Sequence, residues 1–400
     1  MKPTFAVRQD KELTGRYVVT FHEDAVNEGL AILADKVGLR DLLHTNDMPL
    51  QAINVDREIP KDGAVFDELG ICVVNCEKTL ADRIKQHVHH SPIMEVEEEH
   101  QVHAMEPTVS SGKNYLDTAN ESWGMRAIGA TNSKWMGDGI RIALLDTGVD
   151  SDHVDFAGRN IVGDQTFLAD AASQDTFGHG THCAGTIFGP RKPVDAPGYG
   201  IAPNAELLVG HVIDENHNGT ERSLLAGLNW AIAQKCHVVS LSVGAPVDNP
   251  SVAFEQVGIR ALKRGCLIVA SAGNSSEREK NEFGFVHRPA NNRSILAVGA
   301  VDADLSVADF SVRGSKRQGG EIDLVAPGVD IFSAWTRPQN YRSISGTSMA
   351  TPFVAACAVL HAEATGLRGA ALWDALEKAA RPVPGSHVDI GAGMVAVPEE

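Results

Sequence analysis

The sequence predicts an α/β protein: a three-layer α/β/α sandwich with a mainly parallel central sheet, preceded by a small ferredoxin-like α+β domain. Two observations predict it. From residue 140 onward, short apolar runs alternate with helical segments. A strand buried on both faces reads as a continuous apolar run, and crossover helices between parallel strands cover those faces. Before that region the pattern changes to a compact strand–helix–strand–strand–helix–strand order in a more acidic stretch, which places a boundary between 1–105 and 106–400.

In the first region, Arg16–Phe21 reads as a strand and Asp24–Val37 as a helix with apolar spacing. Ala64–Val74 reads as strand, turn and strand, Thr79–His87 as a second helix and Ile93–Val96 as a short last strand. In the second region the strands are Ile142–Leu145, Leu207–Val212, Val238–Val243, Leu267–Ser271, Ile295–Val301 and Ile322–Val325. Helices are expected at Arg222–Ala233, Phe254–Arg264 and Met349–Ala364.

Composition narrows the function. The 400 residues carry 52 acidic and 35 basic side chains, a formal charge of −17, with 43% apolar content. That balance argues against nucleic acid or an anionic membrane as partner. The first residues hold no apolar signal segment, and no window reads as a membrane-spanning helix. A cytoplasmic location is the expectation, with secretion as the alternative. The cysteines at 72, 76, 183, 236, 266 and 357 read as buried thiols.

Three separated segments carry chemistry. Asp146 opens Asp-Thr-Gly-Val-Asp, His179 opens His-Gly-Thr-His, and Ser348 lies in Ser-Gly-Thr-Ser-Met-Ala-Thr-Pro. Asp146 ends a buried strand, while His179 and Ser348 begin helices; ligands of open parallel sheets gather at such strand ends. A serine hydroxyl needs a base, which His179 supplies, and Asp146 orients that imidazole. The developing oxyanion needs preset donors: the Ser348 backbone N–H and the Asn274 side chain in Ala-Ser-Ala-Gly-Asn.

These four residues, in the order Asp, His, Asn, Ser, resemble the subtilisin-like serine proteases. The resemblance implies an endopeptidase made as a self-cleaving zymogen and acting as a monomer on polypeptides. Residues 1–105 would be its inhibitory, folding-assisting prosegment, with scission after Met105. It places substrate backbone on Ser242-Val243-Gly244 and Ser271-Ala272-Gly273, whose small residues imply a broad preference for apolar side chains before the scissile bond. Cys183, four residues after His179, resembles the thiol-containing subgroup that includes proteinase K. Calcium is the implied structural ion, with Asp155 and Asp302 as ligands, although the 189–200 loop carries Pro190, Pro193 and Pro197 in place of the family's asparagines. Histidines 87, 89, 90, 100 and 103 cluster near the expected scission point. The rival readings are a binding protein on the same fold, disfavoured by the intact residue set, and a processing enzyme with one substrate.

Overall fold

The computed structural model describes residues 13–47, 61–88, 91–104, 117–168, 174–315 and 319–399. Its central sheet has seven strands, all parallel, in the order β14-β13-β12-β10-β6-β8-β7. These are β6 (Arg141–Asp146), β7 (Ile161–Thr166), β8 (Glu206–His211), β10 (Val238–Leu241), β12 (Leu267–Ser271), β13 (Leu296–Val301) and β14 (Leu324–Pro327). Strand pleating sorts side chains onto two faces. Ile142 and Leu144 of β6 join the core under the helices His179–Phe188 and Thr347–Thr365. Ala143 and Leu145 join the opposite core under the helices Glu221–Ala233 and Val252–Lys263. That is the expected three-layer sandwich.

The expected strand Val238–Val243 ends earlier, at Leu241, and Val243–Gly244 forms a separate short strand, β11. Beside β14, Met394 forms a parallel bridge to Val325, whose N–H donates to the Gly393 carbonyl and whose carbonyl accepts the Val395 N–H.

The N-terminal strands are β1 (Leu13–Phe21), β2 (Leu42–His44), β3 (Gly63–Phe66), β4 (Ile71–Val74) and β5 (Ile93–Ala104). They order as β5-β1-β4-β3, the ferredoxin-like arrangement, with β2 added parallel to β3 at the edge. Alternation again assigns faces. Tyr17, Val19, Cys72 and Val74 pack under this unit's own helices, Val26–Ile32 with its continuation to Val37, and Lys78–Lys85. Val18, Phe66, Ile71 and Val73 pack into the same core as the helices Glu221–Ala233 and Val252–Lys263. One face of the N-terminal sheet is therefore completed by the larger unit.

The strand expected at Ile93–Val96 runs on to Ala104. Its far end leaves its own sheet and enters the larger unit. Gln101–His103 pair antiparallel with β9 (Asn218–Thr220), and His103–Ala104 pair antiparallel with β11.

Candidate active site

Asp146 closes β6, and its Oδ1 accepts the Thr147 N–H at 2.8 Å. His179 opens its helix, and its Nδ1 lies 2.7 Å from the same Oδ1. Two glycines permit this approach. A Cβ on Gly180 would stand 2.1 Å from the Gly148 carbonyl oxygen, and Gly148 adopts φ +94 against the His211 ring. Asp175 ties the two motifs together: Oδ1 accepts the Thr147 hydroxyl and the Phe177 and Gly178 N–H groups, while Oδ2 accepts the Thr181 N–H and hydroxyl. The sequence reading passed over Asp175, although Asp-Thr-Phe-Gly runs directly into His179.

Ser348 is the second residue of the helix Thr347–Thr365. Its hydroxyl donates to the Ser242 carbonyl at 3.1 Å, and the Ser242 hydroxyl donates to the Ser348 carbonyl at 2.9 Å. Cys183 joins the two halves of the site. Its Sγ lies within 4.8 Å of a carboxylate oxygen of Asp146 and a ring nitrogen of His179, and it meets the Ser348 carbonyl at 3.6 Å. Asp146, His179, Cys183 and Ser348 are all fully buried. Burial pushes the Cys183 thiol well above its ordinary range, so it remains a neutral packing group.

Burial alone would lower the His179 pKa, but the charge and hydrogen bond of Asp146 outweigh it and the net direction is up. Nε2 of this ring has no hydrogen-bond partner among the described residues. A base that is oriented at one nitrogen and bare at the other results.

Asn274 is fixed by Thr347, whose N–H and hydroxyl both donate to Oδ1, at 2.9 and 2.8 Å. The Thr347 hydroxyl also accepts the Gly273 N–H at 3.2 Å. The Asn274 amide nitrogen is left beside Gly346, where a Cβ would meet it at 3.1 Å, directly before the serine helix. Sequence reasoning found Asn274 but not the threonine that holds it.

The two segments expected to hold substrate backbone behave differently. Val243–Gly244 pair with His103–Ala104, and Ser242 contacts Ser348. Ser271–Gly273 face inward: the Ala272 carbonyl accepts the His287 N–H at 2.8 Å, and the His287 ring lies against Gly273. Burial lowers the His287 pKa to about 4, so this ring adds no charge to the segment at neutral pH. Met105 lies outside the described residues, as do His89 and His90; the description of β5 stops at Ala104.

The calcium expectations separate. At Asp155, Oδ2 accepts the Tyr199 hydroxyl at 2.6 Å and the Tyr341 hydroxyl at 2.9 Å. The Arg159 guanidinium takes the Asp155, Phe188 and Pro203 carbonyls. Arg191, inside the proline-bearing loop, takes those of Ser133, Trp135 and Ile201. Carbonyl and carboxylate oxygens are the donors a calcium ion requires. Here they are occupied by guanidinium and phenol groups, so Asp155 and its surroundings do not fit the ion. Asp302 anchors the turn after β13, its Oδ1 accepting the Asp304 and Ser306 N–H groups, each at 3.0 Å.

Residues 137–394 match the model of the subtilase family. The thermostable alkaline protease of Halalkalibacterium halodurans is 34% identical over 308 residues, 72% of this chain and 80% of that one. Subtilisin Savinase of Lederbergia lenta is 39% identical over 242 residues, 60% of this chain and 82% of its own. An alkaline protease of Alkalihalobacillus alcalophilus is 39% identical over 242 residues, and the match spans only 58% of its length. With the family model covering well over half of the residues and the Asp, His, Asn and Ser motifs inside it, the chain belongs to the subtilase family, the subtilisin-like serine peptidases.

Proposed function

We propose that this chain is a serine endopeptidase made as a zymogen, hydrolysing peptide bonds through Asp146, His179 and Ser348. The observation that carries the reading is the His179 imidazole, held by Asp146 at Nδ1, without a partner at Nε2 among the described residues, and joined through Cys183 to the Ser348 carbonyl. A turn about the Ser348 Cα–Cβ bond takes its hydroxyl from the Ser242 carbonyl toward Nε2. His179 accepts the proton as Oγ attacks the substrate carbonyl and returns it to the leaving amine. Asp146 stabilises the imidazolium meanwhile. The Ser348 N–H and the Asn274 amide receive the oxyanion. Water then releases the acyl group by the same steps in reverse.

Residues 1–105 act as the inhibitory prosegment, with scission after Met105. The antiparallel pairing of Gln101–Ala104 between β9 and β11 supports this, because a peptide substrate would add a strand in the same way. Ala104 pairs with Val243, the residue after Ser242, whose carbonyl holds the Ser348 hydroxyl. Polypeptides are the substrates, with a broad preference for apolar side chains before the scissile bond, and the enzyme acts as a monomer. Calcium, if carried as a structural ion, belongs at Asp302.

Intact mass after expression tests the reading. Wild type should lose about its first 105 residues, while Ser348→Ala stays whole. A wild type that remains full length while folded, and cleaves no added protein after its N-terminal unit is removed, would overturn it.

A further inference from the structure

Five hydrogen bonds converge on Asp175, and every one is donated to it. The two hydroxyls among the donors are already in use as acceptors. Thr147 Oγ1 takes the Gly180 N–H at 2.9 Å, and Thr181 Oγ1 takes the Asp150 N–H at 3.0 Å. Each turns its own proton to Asp175, at 3.1 and 2.6 Å. An ionised carboxylate only accepts, so these surroundings suit the anion.

Its place matters as much as its charge. Gly178 precedes the helix His179–Phe188 and has no side chain to cap it. Asp175 caps it from outside, taking the N–H of Gly178 and that of Thr181, the third residue of the helix. His179 is the first residue, where the positive end of the helix dipole opposes an imidazolium. Asp175 offsets that field from a buried position that water screens little. Burial pushes the Asp175 pKa up, the bonds from Thr181 and Gly178 pull it back, and the Asp146 charge adds to the rise, as expected of two acids in one dry site. The other neighbours bring no competing charge to the ring. His182 is neutral, burial lowering its pKa to about 3, and Cys183 stays a thiol. The Phe177 ring stands between His179 and His217. On the far side of Asp175, His211 is held by Asp164 at 2.9 Å, and Asp214 and Glu215 line the same hollow.

We propose that Asp175 is a positioning residue of the reaction, a second carboxylate that fixes the His179 helix against the Asp146 strand and stabilises the imidazolium formed when His179 takes the Ser348 proton. The inference rests on the proposed reading that His179 is the general base.

Titration of the His179 ring by nitrogen NMR in the full-length Ser348→Ala chain tests it without any need for activity. Asp175→Asn keeps the shape and removes the charge, so the His179 midpoint should fall by about one pH unit. Asp175→Ser, neutral but able to cap a helix start, should give the same shift if the first variant does not fold. Thr181→Val is the structural control. It strips one bond from Asp175 and one from the Asp150 N–H while keeping the carboxylate, so it should lower Tm and leave the midpoint in place. With Ser348 present, Asp175→Asn should lower kcat about tenfold with KM little changed, and move the acid limb of kcat/KM to lower pH. A midpoint unmoved in both neutral variants, or moved equally by Thr181→Val, overturns the proposal. A midpoint that shifts in a chain able to cleave no peptide would uphold the hold of Asp175 on the ring and sink the peptidase reading instead.

Discussion

Glu99, which is fully buried, accepts the backbone N–H of Arg222 at 2.8 Å, at the second residue of the helix Glu221–Ala233. Its other oxygen is held by Arg16 and Thr14. Two residues earlier, Glu97 accepts the Ala253 N–H and the Ser251 hydroxyl, each at 2.9 Å, at the start of the helix Val252–Lys263. A helix N-terminus presents unpaired N–H groups and favours negative charge. The acidic run therefore docks β5 onto two helices of the larger unit rather than lying in solvent. Truncating Glu99 takes the partner from the buried Arg222 N–H and from the half-buried Arg16. Glu99→Ala in the Ser348→Ala chain should cost about 2–4 kcal/mol of unfolding free energy in urea. Glu98→Ala, at an exposed site in the same strand, should stay within about 0.5 kcal/mol. Equal losses at the two positions would contradict the docking role.

Peptidase activity should fall with acidity as His179 takes up a proton. The base must be neutral to accept from Ser348, and Asp146 holds the His179 pKa above its ordinary value of 6.5. The acid limb of kcat/KM on a synthetic peptide should therefore have its midpoint above pH 6.5, with about a tenfold loss per unit below it. Asp146→Asn removes the charge that raises the pKa and leaves the burial that lowers it. Its residual activity should show a midpoint moved to lower pH. A midpoint unmoved by that substitution would separate Asp146 from the titration.

How much of this was legible depended on where each segment's partners lie. The strands β6, β10, β12 and β13 are apolar because helices cover both faces, and a single pass along the sequence finds them. Strand β7, Ile-Val-Gly-Asp-Gln-Thr, is the sheet's edge, half exposed and polar enough to read as loop. The antiparallel pair of β15 (Ile331–Ala334) and β16 (Tyr341–Ile344) was missed for a similar reason, Arg342 and Ser343 being exposed. Strand β5 hid its length, since the partners of Glu97 and Glu99 lie more than eighty residues away and no local pattern announces a buried carboxylate. At the site, Asp146, His179, Asn274 and Ser348 were found from their motifs. Their supports, Asp175 and Thr347, were not, because an aspartate in a loop or a threonine at a helix start has many uses. Asp155 matched a motif position, yet Tyr199 and Tyr341 had already taken its oxygen.

Thermal unfolding should report those replaced ligands. Arg191 brings three backbone carbonyls under one guanidinium, from segments before and after its own loop. Arg191→Met keeps the aliphatic stem and strips the donors, so it should destabilise by about 2–4 kcal/mol. Added calcium should not restore the loss. Any fall in Tm that a chelator produces in wild type should persist in Tyr199→Phe and vanish in Asp302→Asn. Calcium rescue of Arg191→Met would show that the loop retains an ion site after all.

Thr347 should act on catalysis only through Asn274. Asn274→Ala removes the side-chain oxyanion donor; in subtilisin itself such a donor is worth about 10²–10³ in rate. Thr347→Val deletes the hydroxyl that donates to Asn274 Oδ1 and accepts the Gly273 N–H, while leaving the Thr347 N–H in place. The amide then loses one of the hydrogen bonds that hold it, and kcat should fall about tenfold with KM little changed. Thr347→Ser, which keeps the hydroxyl, should recover most of that rate. The deciding measurement is the double variant. If Thr347 works by aiming Asn274, then Asn274→Ala with Thr347→Val should be scarcely slower than Asn274→Ala alone, because there is no longer an amide to aim. Additive losses would mean that Thr347 supports the serine helix by a separate route.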